Sequence, residues 1–357
     1  MFPPLPDKQT LLCTAETLFY AVCGGIVFTL LGLPAGLVTG SLIVVATAAL
    51  AGRPMIVPLP LARSIYVLVG ICLGAVVTPE LLHGIASFPL SIAILTVSTI
   101  CMIVATTTYL RRVHGWDALS AVFGASPGGL AQVMALAAEY GADLRAIAIV
   151  QVMRVVLLTI GIPSGLALFG LSAKGVGMPL GAAQVSIAAL ALLIAVSTFA
   201  ALLMVWLRLP GGLIFGALIG SAVLHGGGFV HAALPSWMVA LAVVGVGAVT
   251  GSRFAKTRPR VLVQYIGAAL GSFAVAATIA SAFTLVLLTV LPVRTADAVV
   301  AFSPGAQDTM MVLALSLHLD PVFVSSHHLW RFMLVTLSLP FQARRAQNAR
   351  GDTPAEP

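Results

Sequence analysis

Phe123-Gly124-Ala125-Ser126-Pro127-Gly128-Gly129 returns later in the chain as Val300-Ala301-Phe302-Ser303-Pro304-Gly305-Ala306. Each copy places a Ser-Pro-Gly breaker inside an apolar stretch, and a proline there removes a helical hydrogen bond and crowds the preceding turn. The copies also share their downstream spacing: Asp143 and Asp320 stand 17 residues after the two serines, Arg154 and Arg331 28 after, and Pro163 and Pro340 37 after. One offset of 177 residues relates every pair. The sequence thus repeats a broken segment with one arginine behind each break.

The surroundings of these stretches set the solvent. Of 357 residues, 60% are hydrophobic and only 8% charged, and the mean hydropathy is +1.09, whereas roughly a quarter of a soluble domain is charged. The chain reads as an all-α polytopic membrane protein, with runs long enough to cross a ~30 Å hydrocarbon core. The formal net charge of +7 is spread over short loops rather than one basic face, so it signals topology and not a nucleic-acid partner. Cys13, Cys23, Cys72 and Cys101 lie in or beside apolar runs without C-x-x-C spacing and read as packing residues. Met1 to Thr10 shows neither a basic cluster nor a cleavage site, so the first run is expected to be a retained span.

Working outward, apolar segments run over 11–31, 36–51, 61–78 and 87–110, then the broken segment 117–141, then 145–170. The series restarts at 183–207, 212–226, 235–251 and 261–291, followed by the second broken segment 297–318 and a span over 321–342. Leu33-Pro34-Ala35-Gly36 with Gly40 matches Leu209-Pro210-Gly211-Gly212 with Gly216 at an offset of 176. These matches define two transmembrane repeats, 1–172 and 173–343, with 344–357 as a disordered cytoplasmic tail. If both broken segments crossed the membrane there would be twelve spans in parallel repeats, and Arg253, Lys256, Arg258 and Arg260 would face away from Arg53, Arg111 and Arg112. If both are re-entrant hairpins, each half has five spans, the repeats are inverted, and nearly all basic loops lie on one side with both termini cytoplasmic. The positive-inside rule favours the second arrangement.

Irregular backbone at membrane depth needs protein or a water-filled cavity around it. The two tips are therefore expected to meet near the midplane, as in inverted-repeat transporters. Ser126, Pro127, Gly128, Gly129, Gln132 and Arg154 in one half, with Ser303, Pro304, Gly305, Gln307 and Arg331 in the other, are the candidate substrate-binding residues. The half-helix after each break offers free N–H groups to an anion. Each arginine falls near the middle of its span, where an unpaired guanidinium costs at least ~2.5 kcal/mol, so it either braces tip carbonyls, pairs with Glu16 or Asp308, or faces an anionic solute. Asp308, His328 and Glu16 are the candidates for a coupling ion or proton, with hydrogen-bonded burial as the competing reading for His327 and His328. Asp143 and Asp320 read as caps of the next helix. No metal-ligand spacing and no cofactor fingerprint is present among the seven histidines and four cysteines.

The blocks from Ser126-Pro127-Gly128-Gly129-Leu130 through Gly141-Ala142-Asp143 to Gln151-Val152-Met153-Arg154, and from Ser303-Pro304-Gly305 through Leu319-Asp320-Pro321 to His327-His328-Leu329-Trp330-Arg331, resemble those of the bacterial membrane AbrB family. That family is distinct from the soluble DNA-binding regulator of the same name. The resemblance covers essentially the whole chain and implies a multi-pass protein of the bacterial inner membrane. It departs at Ala306-Gln307, where the second copy commonly has Gly followed by an apolar or acidic residue. Members carry an ammonia monooxygenase label, and one branch is described as a membrane regulator of gene expression. The broken hairpins are also similar in architecture to those of citrate/sodium and glutamate/sodium symporters. A copper enzyme would need a ligand cluster that the scattered histidines do not supply, and no soluble segment is long enough for a DNA-binding surface. The expectation is a non-enzymatic secondary transporter of a small, anionic organic solute, with a membrane regulator of gene expression acting through solute flux and an ammonia monooxygenase-like protein as the alternative readings. Na+ or H+ is the candidate coupling ion, membrane lipid the surrounding partner, and a homodimer the candidate assembly.

Overall fold

The computed structural model describes residues 7–33, 35–75, 88–127, 130–171, 186–207, 211–230, 234–255, 257 and 259–351. Among them, every regular element is a helix: α1 (Lys8–Leu30), α2 (Gly36–Leu50), α3 (Leu59–Gly74), α4 (Phe88–His114), α5 (Ala118–Ala125), α6 (Leu130–Glu139), α7 (Leu144–Leu168), α8 (Ile187–Trp206), α9 (Gly212–Gly226), α10 (Ser236–Ser252), α11 (Pro259–Val290), α12 (Thr295–Phe302), α13 (Gln307–Ser316) and α14 (Pro321–Gly351). Five of them, α1, α4, α7, α8 and the Arg260–Val290 stretch of α11, are long and apolar enough to cross a membrane; α2, α3, α9 and α10 are shorter apolar helices. Both segments read as broken are interrupted, each as two short helices. Helix α14 continues to Gly351, with no Gly or Pro between Pro340 and Gly351 to stop it; residues 352–357 of the expected tail lie outside the described residues.

The chain forms two compact units, neither of which coincides with a sequence half. The first comprises Met1–His83, Thr159–Pro259 and Met311–Val322. Within it α1 packs on α2 and α8 on α9, while α10 packs on α2 and α3 on α9. Small residues make these crossings close. A side chain at Gly70 would strike the Ile214 carbonyl and one at Gly74 the Leu218 carbonyl; Gly247 and Gly251 meet the Val38 and Leu42 carbonyls in the same way. Ala35 and Gly211, which cap α2 and α9, are both left-handed at φ 50° and 64°.

The second unit comprises Gly84–Leu158, Arg260–Met310 and Phe323–Pro357. Here the chain doubles back at the first break. The Phe123 and Tyr140 rings lie 6.3 Å apart, whereas a straight helix would separate positions 17 apart by ~25 Å. Asp143 N–H donates to Ser120 Oγ at 2.9 Å, closing the base of the hairpin. Leu119, Phe123, Val133, Ala137 and Ile147 share one buried cluster with Leu339, Ala343 and Ala346 of α14. The second break is also a tight turn: Gly305 N–H reaches back to Ser303 O at 2.8 Å, and Ser303 Oγ lies 3.2 Å from Met310 Sδ.

Candidate functional site

Pro127 has no N–H to offer the Phe123 carbonyl, and Pro304 has none for Val300. Helices α5 and α12 therefore end with carbonyls that lack their usual helical donor, and Val300 O takes Ser303 N–H at 3.3 Å and Ser303 Oγ at 2.7 Å in its place. Ser126 leaves in extended geometry at φ −68°, ψ 116°, and Ser303 at φ −60°, ψ 139°. Such buried carbonyls require donors from elsewhere.

In the first copy Gln151 Nε2 donates to Phe123 O at 2.8 Å and to Ser126 O at 3.3 Å. Arg154 donates to Ala125 O at 3.4 Å, to Ser126 O at 3.3 Å and to Gln151 Oε1 at 3.2 Å. In the second copy His328 Nε2 meets Val300 O at 3.0 Å, and Arg331 donates to Phe302 O at 3.5 Å and to His328 Nδ1 at 2.5 Å. Phe123 and Val300, Ala125 and Phe302, Gln151 and His328, and Arg154 and Arg331 each stand 177 positions apart. A guanidinium only donates, so His328 Nδ1 accepts and Nε2 carries the hydrogen given to Val300 O. His328 is thereby held as one neutral tautomer, and its ring nitrogens are both engaged.

Both arginines are buried, at 4% and 2% exposure. Among the described residues neither has a carboxylate partner. Their counter-charge is the negative end of a half-helix, whose last carbonyls favour a cation. Three buried polar atoms, Arg154 Nε behind the first break and Gln307 Oε1 and Thr309 Oγ1 just after the second, have no hydrogen-bond partner among the described residues. Ser126, Pro127, Pro304 and Gly305 are buried in the same turns. Each break thus carries a buried cation, with a spare donor on Arg154 and a spare acceptor and hydroxyl on Gln307 and Thr309, groups whose chemistry suits a small anion that also carries a hydrogen-bond donor.

The other candidates divide. Glu16 joins neither arginine of the breaks; its Oε1 receives Arg53 Nε at 2.7 Å, and that hydrogen bond and charge raise the Arg53 guanidinium above its ordinary range. Asp308 Oδ1 accepts from Thr309 N–H at 3.0 Å, opening α13, and is not among the partners of Arg331. Gly128, Gly129 and the side chain of Gln132 lie outside the described residues. Asp143 caps α7 through the Arg145 and Ala146 amides, and Asp320 receives the Val322 amide at 2.9 Å. His327 bonds Phe323 O at 2.7 Å and Ser91 Oγ at 2.8 Å, as buried packing requires. The four cysteines are free thiols. Sequence reading missed Gln151 as a brace, Ser120 as the hairpin clasp and Thr309 as an unpaired hydroxyl. Its one available signal was that Gln151 and His328 both stand three residues before an arginine.

A family model described as "Transition state regulatory protein AbrB" matches residues 37–347. The chain is 27% identical over 327 residues to an Escherichia coli (strain K12) protein named "Putative regulator AbrB", covering 89% of this chain and 91% of that one. It is 25% identical over 360 residues to "Uncharacterized protein YhjN" of Bacillus subtilis (strain 168), covering 93% and 92%.

Proposed function

We propose that this chain, which belongs to the AbrB family, is a secondary transporter of a small organic anion that works by alternating access. The observation that carries the reading is the twofold clamp: Gln151 with Arg154, and His328 with Arg331, hold matching broken segments, and neither buried guanidinium meets a carboxylate among the described residues. A brace alone needs no charge, since a neutral donor satisfies a carbonyl. A cation at membrane depth costs at least ~2.5 kcal/mol, which a bound anion offsets.

The fold reading that accompanies it is two inverted repeats, 1–172 and 173–343, each of five spans and one re-entrant hairpin. It is supported by the 177-residue correspondence of the clamps, by the doubling back of α5 and α6, and by the reciprocal crossings of α2 with α10 and α3 with α9. In this reading the chain sits in the bacterial inner membrane with both termini cytoplasmic, performs no covalent chemistry, and takes Asp308 as the carboxylate for a coupling Na+ or H+. Flux of a panel of small carboxylates and phosphates into vesicles carrying the purified protein tests it. Arg154→Gln and Arg331→Gln should each lower flux ~10-fold or more while leaving a folded protein. Unchanged flux in both variants would remove the arginines from the solute path.

A further inference from the structure

We propose that the outer face of α14 is a binding site for one anionic glycerophospholipid, separate from the solute path. Helix α14 has two unlike faces. Phe332, Val335, Leu339, Ala343 and Ala346 are buried, and the last three belong to the cluster beneath the first hairpin. Trp330, Met333, Leu337, Phe341 and Arg344 recur at helical spacing on the other side, where Leu337 and Phe341 are 67% and 68% exposed.

That outer face is a groove rather than a smooth ridge. A cavity of about 310 Å³ runs along Trp330, Met333, Leu334, Leu337, Ser338 and Phe341, and shares Ser338 and Phe341 with one of about 490 Å³ that reaches Arg344 and Arg345. The deep end is fixed, because Trp330 Nε1 donates to Thr96 Oγ1 at 2.8 Å. Along the groove the polar side chains satisfy one another: Ser338 Oγ donates to Val335 O at 3.2 Å and accepts from Gln342 Nε2 at 3.0 Å. Arg344 and Arg345 are exposed, and among the described residues neither meets a carboxylate.

An apolar channel closed at one end by two such guanidiniums is complementary to an acyl chain below a phosphate. The dimensions agree. Trp330 to Arg344 spans ~21 Å of helix, against ~15 Å for one hydrocarbon leaflet plus its headgroup layer. Arginine near the surface attracts anionic headgroups, and its forked donors fit a phosphate oxygen pair.

The test uses the full-length protein in neutral detergent, with phosphatidylglycerol and phosphatidylcholine as probes, read by native mass spectrometry and by thermal unfolding. Phosphatidylglycerol should be retained in one tight equivalent and raise the unfolding temperature more than phosphatidylcholine does. The R344Q/R345Q double variant should weaken that retention about 30-fold, and Leu337→Trp, which fills the groove and leaves both charges, should weaken it as well. Equal retention of the two lipids, or retention unchanged in both variants, overturns the proposal. So does a protein dimer that both variants dissociate, since a second copy of the chain would then own this face.

Discussion

The two clamps solve one problem with different side chains. Behind the first break an amide side chain gives its N–H₂ to the Phe123 carbonyl and its oxygen to Arg154; behind the second an imidazole gives Nε2–H to Val300 and accepts Arg331 at Nδ1. Gln and neutral His have little in common in shape or hydrophobicity. What they share is one donor and one acceptor held a few ångströms apart, which is what a stranded carbonyl and a guanidinium on opposite sides demand. What the two positions share is therefore a bifunctional group, one donor and one acceptor.

The largest expected effect comes from removing that bifunctionality. Gln151→Leu leaves the buried Phe123 carbonyl without its donor, and His328→Leu leaves Arg331 without its side-chain acceptor while Val300 O keeps Ser303 Oγ; each should lower unfolding stability in detergent by about 1–3 kcal/mol. A loss under ~1 kcal/mol in either would mean the bridge is incidental. Exchanging the solutions is the sharper probe. His328→Gln should keep stability within about 1 kcal/mol of the parent, measured beside His328→Leu; if the two variants fall together, the imidazole has a role that an amide lacks, and proton transfer returns as the reading.

Smaller effects are expected at the hairpin exits. Gly141 and His318 occupy corresponding left-handed positions at φ 69° and 54°. Replacing His318 by Gly should raise stability by about 1 kcal/mol, and Gly141→Ala should lower it by a like amount, so one thermal series tests whether the second copy carries strain that the first avoids. Smallest of all are the caps: Asp143→Ala and Asp320→Ala should each cost about 0.5 kcal/mol, and a cost confined to one of them would separate the two exits.

The breaks were legible because Pro127 and Pro304 act through an absence that sequence states outright, a missing N–H. Helix limits such as Gly36–Leu50 and Gly212–Gly226 were legible for the same kind of reason, Gly and Pro marking the ends of apolar runs. The need of Arg154 and Arg331 for partners was legible from burial cost, but their choice was not, because a carbonyl is offered by every residue and only the turn geometry says which one is stranded. Gln151 was passed over since its two functions appear only once Phe123 and Arg154 are seen on either side of it. Glu16 was drawn toward the arginines by charge alone, and the loop that returns Arg53 to it has no local signature. The interleaving of the halves was hidden for a similar reason. Gly70 and Gly247 advertise close contact without naming a partner, and their partners lie in the opposite half.

That exchange of partners has a consequence for biosynthesis. Ser236 begins α10 200 positions after Gly36 begins α2, so at ~5–20 residues per second α2 waits ~10–40 s for the helix that covers it. During that interval the first half sits in the bilayer with its close-packing faces against lipid or the insertion machinery, and completing the first unit is an event of the finished chain rather than of its growing end.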